Sequence, residues 1–195
     1  MTHGMREATC VILAAGLGRR LSGKLALPFR GGTILDAVLD ASGEYPVVLV
    51  ASTSIAVGIG TIERLVVAEN EITVVVNDDP ERGMAHSLRL ANREIAPDRC
   101  IAVLLGDKPL VSAALIRRLL EAEEADVVFP VRDGIPGHPV VFSPNARALI
   151  EALPDGDTLQ RLRDDPSLIR NAVSIDDDGA YVDVDTEEDY RGLLP

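Results

Sequence analysis

The chain has no tryptophan and only three phenylalanines and three tyrosines among its 195 residues. Such a chain lacks the aromatic platforms on which single-stranded nucleic acids stack. Basic residues are also in deficit, with 19 Lys and Arg against 31 Asp and Glu and a net charge of −12. A protein that neutralises nucleic-acid phosphates needs the opposite balance. No apolar run approaches the roughly 18 residues of a bilayer span, and Met1 to Glu7 are polar rather than a secretion signal. The two cysteines, Cys10 and Cys100, form no CxxC or Cys/His cluster and are expected to be buried, reduced thiols. Nucleic-acid binding and membrane insertion are thereby excluded, and a soluble cytoplasmic protein is expected.

Hydrophobic residues make up 47% of the chain, enough for one sizeable core. One domain over residues 1–195 is expected, with 1–8 as a flexible tail. Short apolar runs alternate with segments of helical period, the pattern of βα units around a largely parallel sheet. Strands are expected at Thr9 to Ala14, Pro46 to Ala51, Ile72 to Val76, Ile101 to Leu105, Asp126 to Pro130 and Pro139 to Phe142. Helices are expected at Thr33 to Ala41, Glu81 to Ile95, Val111 to Glu124 and Pro144 to Leu153, while Ser52 to Arg64 is ambiguous. Tyr181 to Asp185 alternates as a strand would, and Thr186-Glu-Glu-Asp189 is a capping box before a last helix. In such folds ligands bind beyond the carboxyl ends of the strands.

Charge is distributed unevenly. Residues 1–30 carry Arg6, Arg19, Arg20, Lys24 and Arg30 against Glu7 alone, whereas residues 151–195 are strongly acidic. An anionic substrate is drawn to the first segment and repelled by the last unless a cation intervenes. The first strand runs directly into a glycine-rich basic loop, Leu13-Ala-Ala-Gly-Leu-Gly-Arg-Arg-Leu-Ser-Gly-Lys24. Glycines at 16, 18 and 23 free the backbone to turn N–H groups toward a phosphate. A dinucleotide GxGxxG fails at Leu21, and the P-loop pattern of Gly18 to Lys24 fails at Leu25 and Pro28.

Asp79-Pro80 reads as an N-cap and first helical position, so a helix there would present free N–H groups to an anion. Gly83 in a first turn costs up to about 1 kcal/mol relative to Ala, which implies that something packs close to it. Ser87 is a binding hydroxyl or an ordinary helix residue, and His86 reads as surface. Asp107, after the apolar strand ending Leu104-Leu105-Gly106, is either a crevice carboxylate able to hold Mg²⁺ or a turn former before Pro109. His138, between Gly137 and Pro139, reads alone as structural; Asp157 could cap a short helix. Asp183 and Asp185 would share one face of a strand, roughly 6.6 to 7 Å apart.

Leu13-Ala-Ala-Gly16, then Arg20, Lys24 and Pro28, then Gly31-Gly32 and a helix, resembles the N-terminal signature of the MobA-like nucleotidyltransferases. The LAAG form is similar to the molybdenum-cofactor cytidylyltransferases; the guanylyltransferases usually carry LAGG. The likeness continues through Asn77, Gly83 and Ser87, through Gly106-Asp107-Lys108-Pro109 as a GDxP motif, and through Gly137-His138-Pro139 and Gly156-Asp157. It ends in Asp183-Val-Asp185-Thr186, similar to the family's DxDT. Two positions depart from the pattern. The loop before Lys24 is one residue short, with Ser22 in place of a glycine, and Lys108 stands where Gln or Met is usual.

The resemblance implies a three-layer α/β/α sandwich with a mostly parallel, Rossmann-like nucleotidyltransferase sheet. It implies attack of an acceptor phosphate on the α-phosphorus of an NTP, CTP in the first instance, with release of pyrophosphate. Lys24 and Arg20 would hold the triphosphate, backbone N–H groups of residues 15 to 18 would cradle it, and Leu13, Ala14, Ala15, Gly16, Gly18, Asn77, Gly83 and Ser87 would border the nucleotide. Mg²⁺ would sit on Asp107 with Asp183 or Asp185. His138 and Asp157 would face a molybdopterin-type acceptor, with a molybdenum hydroxylase as recipient. The alternatives are another phosphorylated acceptor, such as phospholactate or a sugar phosphate, possibly with GTP, and a non-catalytic cofactor carrier for a hydroxylase.

Overall fold

A near-continuous apolar run can be buried on both faces only in the middle of a sheet, and Ala8–Ala14 (β1) is such a strand. The computed structural model describes residues 7–16, 18, 20–52 and 72–194. Leu17, Arg19, the ambiguous stretch from 53 to 64 and the first six residues of the expected tail lie outside the described residues. Ala8, expected in the tail, instead opens β1 and is buried.

The chain continues through Pro28–Phe29 (β2), Gly32–Thr33 (β3), Ile34–Ala41 (α1), Val47–Ser52 (β4), Ile72–Asn77 (β5), Met84–Arg93 (α2), Cys100–Leu105 (β6) and Ala113–Leu120 (α3). Val127–Arg132 (β7), Ile135–Pro136 (β8), Val140–Phe142 (β9), Pro144–Arg147 (α4), Leu159–Arg163 (α5), Arg170–Ser174 (β10) and Glu187–Gly192 (α6) follow. The main sheet runs β10-β7-β9-β6-β1-β4-β5, with β8 paired to β7 and β2-β3 a separate hairpin. β1, β4, β5 and β6 pair in parallel, as do β7 and β10; β9 is antiparallel to both of its neighbours.

Successive residues of each central strand enter opposite cores. Cys10, Ile12, Val47, Leu49, Ala102 and Leu104 pack under α1 and α3. Val11, Val48, Val50, Ile101 and Val103 pack under α2 and the segment from Ala146 to Leu162. Each fully buried Leu or Ile contributes about 1.5–3 kcal/mol by leaving water. The result is the expected three-layer sandwich. Both cysteines are buried free thiols, and burial pushes the Cys10 thiol up to about 12. Among the described residues no helix is long and apolar enough to cross a membrane.

Several expectations need correction. The helix expected from Glu81 begins as one 3-10 turn, Pro80–Arg82, and α2 starts only at Met84. Gly83 separates them at φ +85°, ψ −174°, a conformation that no helix contains and that only glycine adopts readily. Helices expected over Val111 to Glu124 and Pro144 to Leu153 are shorter, because Ser112 caps α3 and the second region breaks into α4 and a 3-10 turn at Ile150–Ala152. β10 is unforeseen: an edge strand half in water, it has no apolar run to announce it. Tyr181 to Asp185 joins no ladder and is an irregular strap. The capping box before α6 is present, Thr186 accepting from the Asp189 N–H and Asp189 from the Thr186 N–H.

Candidate functional site at the carboxyl edge of the sheet

β1 and β6 are central neighbours with Leu13 opposite Leu105, so the loops that follow them leave the sheet side by side. Gly106 permits this: its N–H donates to the Leu13 carbonyl at 3.0 Å, and a Cβ there would lie 3.3 Å from that oxygen and from the Ala14 methyl. The glycine-rich loop and Asp107 therefore share one crevice. No long helix opens at Lys24; Lys24–Ala26 is a 3-10 turn entered through Gly23 at φ +70°. The loop thus takes neither of the two phosphate-loop forms excluded above.

The shortened loop still delivers Lys24 into the crevice. Its Nζ donates to Asp107 at 2.6 Å and to Asp185 at 2.8 Å, and its side chain is 14% exposed. Arg20, largely exposed, pairs with the other oxygen of Asp185. Burial alone would lower the Lys24 pKa, but the hydrogen bonds and charges of Asp107 and Asp185 outweigh it and hold it above the ordinary lysine value. The hydrogen bond from Lys24 holds Asp185 below the usual carboxylate range. Two hard oxygen donors thus converge on one cation. That donor set suits Mg²⁺ or Mn²⁺, which take one or two carboxylates and leave positions for phosphate oxygens and water.

Asp183 does not share that face with Asp185, as a strand would require. Its carboxylate lies 3.7 Å from Lys108 Nζ, while the intervening Val184 is buried and its N–H donates to the Asp107 carbonyl at 2.9 Å. Of the two alternatives expected beside Asp107, Asp185 and not Asp183 shares Lys24 with it, and among the described residues no three acidic, His or Cys side chains gather as a metal cluster.

The nucleotide candidates divide by what they can offer. Ala14 and Ala15 are buried in the two cores, so these positions present backbone rather than side chain. Leu13 is partly buried, Gly16 is exposed, and Gly18 takes φ +53°. Asn77, fully buried at the end of β5, donates from Nδ2 to Ser87 Oγ at 2.9 Å and accepts the Asp79 N–H at 2.9 Å. It positions Ser87 and the turn. Gly83 does have a close neighbour, Gly156, whose N–H donates to the Arg82 carbonyl at 2.9 Å. The next carbonyl, of Asp157, accepts the Ala85 N–H at 3.1 Å, and the Asp157 carboxylate lies 3.2 Å from Arg161. His138 turns inward. Burial, with the nearby Lys108 charge, pushes its ring down to about 4, and Nδ1 is buried without a partner among the described residues. The ring is neutral at pH 7.

Gly106 and Gly156 were named in sequence only as members of short motifs, and their role as points of close approach was not foreseen. Arg89, buried in α2, donates to the Leu153 carbonyl and pairs with Asp155, tying down the 155–157 loop. Lys108 carried a signal, a cation in the motif where a neutral residue is usual.

A mostly parallel sheet with a cationic glycine loop after β1 and a carboxylate after β6, both at the carboxyl edge, has the architecture of the nucleotidyltransferases. The chain belongs to the MobA-like NTP transferase domain family, which it matches over residues 10–171. It is 27% identical to the molybdenum cofactor cytidylyltransferase of Escherichia coli (strain K12), over 95% of each chain. It is 29% identical to nicotine blue oxidoreductase of Paenarthrobacter nicotinovorans, over 95% of this chain and 96% of that one. Among solved structures it resembles Rv0371c of Mycobacterium tuberculosis H37Rv with a TM-score of 0.75 and 30% identity, covering 97% of this chain and 98% of that one. The same mycobacterial protein has been solved in complex with manganese, at a TM-score of 0.72 and 26% identity, covering 96% and 98% of the two chains.

Proposed function

We propose that this protein transfers the cytidylyl group of CTP to a phosphorylated acceptor of the molybdopterin type, releasing pyrophosphate. The observation that carries the reading is the convergence of Asp107, Asp185 and Lys24 beside the basic loop; the cytidylyltransferase among the relatives supports the choice of nucleotide and acceptor. A phosphate monoester has its second pKa near about 6, so at neutral pH it attacks without a general base. Catalysis then rests on in-line positioning and charge neutralisation.

A divalent cation on Asp107 and Asp185, Mg²⁺ in the cell, supplies charge neutralisation between phosphates. Lys24 leaves the two carboxylates and places its ammonium on the triphosphate, where charge develops as pyrophosphate departs. Arg20, already exposed, holds the same polyanion, and backbone N–H groups of Ala15, Gly16 and Gly18 line it. Asn77 fixes Ser87, and Gly83 lets the 155–157 loop close against the start of α2. On the acceptor side, His138 contributes a neutral ring and Asp157 a carboxylate, so neither supplies a cation to the acceptor phosphate. The reading places the protein in the cytoplasm, with a molybdenum hydroxylase as recipient of the product.

The test is a thermal-shift panel of CTP, GTP, ATP and UTP with Mg²⁺ or Mn²⁺, since specific binding raises the melting point by mass action. CTP should give the largest shift. Equal shifts, or a preference for GTP, sink the cytidylyl assignment. Because one relative carries a redox name, a reduced nicotinamide dinucleotide belongs in the panel: a shift with it alone rejects nucleotidyl transfer. Nucleotide binding without pyrophosphate release identifies a carrier instead.

A further inference from the structure

Lys108 is 6% exposed, directly after Asp107. Removing an ammonium from water is costly, and an apolar side chain of similar length would fill the same space at less cost. Its contacts show what the charge holds. Nζ donates to the Tyr181 carbonyl at 2.9 Å and stands 3.7 Å from the Asp183 carboxylate. One residue earlier, the Asp107 carbonyl accepts the Val184 N–H at 2.9 Å. Residues 107 and 108 thus grip the strap at 181 and 184, the second point adjacent to Asp185.

The strap has no sheet ladder of its own, so such contacts decide its position. The turn that leads into it is wedged by close approach: a Cβ on Gly179 would lie 2.4 Å from the Leu110 carbonyl oxygen, and one on Gly137 would lie 2.6 Å from that of Ala180. The strap's later half is held by residues 107 and 108 together with the buried Val184 side chain, Lys24 on Asp185 and the Asp185 N–H, which donates to Asp189 at 3.0 Å. By attracting Asp183, Lys108 also draws the wrong carboxylate away from the crevice.

We propose that Lys108 is a positioning residue, pinning the strap so that Asp185, and not Asp183, completes a two-carboxylate cation site with Asp107. The inference rests on the reading of Asp107 and Asp185 as a metal site. The test uses the full chain as Lys108→Met, with amide hydrogen exchange over 181–185 and Mn²⁺ titration without nucleotide. Exchange in the strap should accelerate at least tenfold, and the Mn²⁺ dissociation constant should rise about tenfold, as for other residues that support metal ligands. In an Asp185→Asn background, Lys108→Met should add no further loss, because a residue acting through Asp185 has nothing left to position.

Unchanged exchange and unchanged Mn²⁺ affinity overturn the proposal. So does an equal loss in both backgrounds, which would mark a general effect on the fold. Should Lys108→Met fail to fold, Lys108→Gln keeps an N–H donor without the charge and takes the same measurements. If wild type binds no Mn²⁺ although exchange in the variant is faster, the metal reading falls while the clamp itself stands.

Discussion

Gly83 and Gly156 meet backbone against backbone: a Cβ on Gly83 would lie 3.1 Å from the Gly156 Cα, and the two residues take φ +85° and +82°. This contact lays the 155–157 loop across the start of α2. Gly83→Ala must both enter a glycine-only conformation and push Gly156 away, so a loss of about 1–3 kcal/mol in unfolding free energy is expected. Gly156→Ala has open space around the new methyl and should lose only about 1 kcal/mol, the conformational cost alone. Urea unfolding of both variants checks the order. An equal or reversed pair of losses would show that the close approach carries no energy.

On the proposed reading, Lys24 and a divalent cation compete for the same two carboxylates. Lys24→Met leaves Asp107 and Asp185 with Arg20, on Asp185, as their remaining counter-charge, so Mn²⁺ should bind severalfold more tightly in the absence of nucleotide. Single-turnover pyrophosphate release should nevertheless fall about 10²–10³-fold, the usual loss when a group stabilising transition-state charge is removed. Because that contact strengthens as charge develops, the rate constant should fall more than CTP affinity. Arg20→Ala should mainly weaken CTP binding. Weaker Mn²⁺ binding by Lys24→Met would show that the ammonium does not occupy the cation's place.

The parts of the fold legible in sequence were those under the strongest hydrophobic constraint. β1, β4 and β6 are apolar on both faces, and no other placement buries them. β10 and the strap escape such reading because they are held by particular partners: Arg170–Ser174 by parallel pairing to β7, and Tyr181 to Asp185 by Asp107 and Lys108. The placement of the candidate site was legible where polar residues follow strands that end at the crevice: Asp107 lies just beyond β6, and Lys24 closes the glycine-rich loop that follows β1. Asp183 and Asp185 could not be separated by spacing alone, since their difference arises from which lysine each meets. Gly83 announced its close neighbour, but only the folded chain shows that the neighbour is Gly156.

Asp126 offers a pH test remote from the crevice. Its carboxylate accepts the Ile169 N–H at 3.0 Å and the Ser143 hydroxyl at 3.0 Å, joining β7 to the turns that precede α4 and β10. The backbone hydrogen bond from Ile169 is the main cause that holds its pKa below the usual carboxylate value. A depressed folded pKa contributes stability above the unfolded value, about 3.9, and that stability is lost as pH falls through the folded pKa. Asp126→Asn should therefore be less stable than wild type near neutral pH, with the difference shrinking below about pH 4. Urea midpoints from pH 7 to pH 3 measure it, and a difference constant with pH would reject the linkage.

Asp107→Ala separates the catalytic reading of Asp107 from its role as a turn former. The hydrogen bond that holds the strap comes from the Asp107 carbonyl, which alanine retains, and Lys24 keeps Asp185 as a partner at 2.8 Å. The stability loss should therefore be about 1 kcal/mol, a fall of roughly 2–4 °C in melting temperature for a chain of this size. Turnover should fall by orders of magnitude, because the cation loses one of its two protein ligands. Melting curves and pyrophosphate release on the same preparation decide the matter. A fall far beyond that range assigns the carboxylate to the turn before Pro109, and retained turnover rejects the metal role at Asp107.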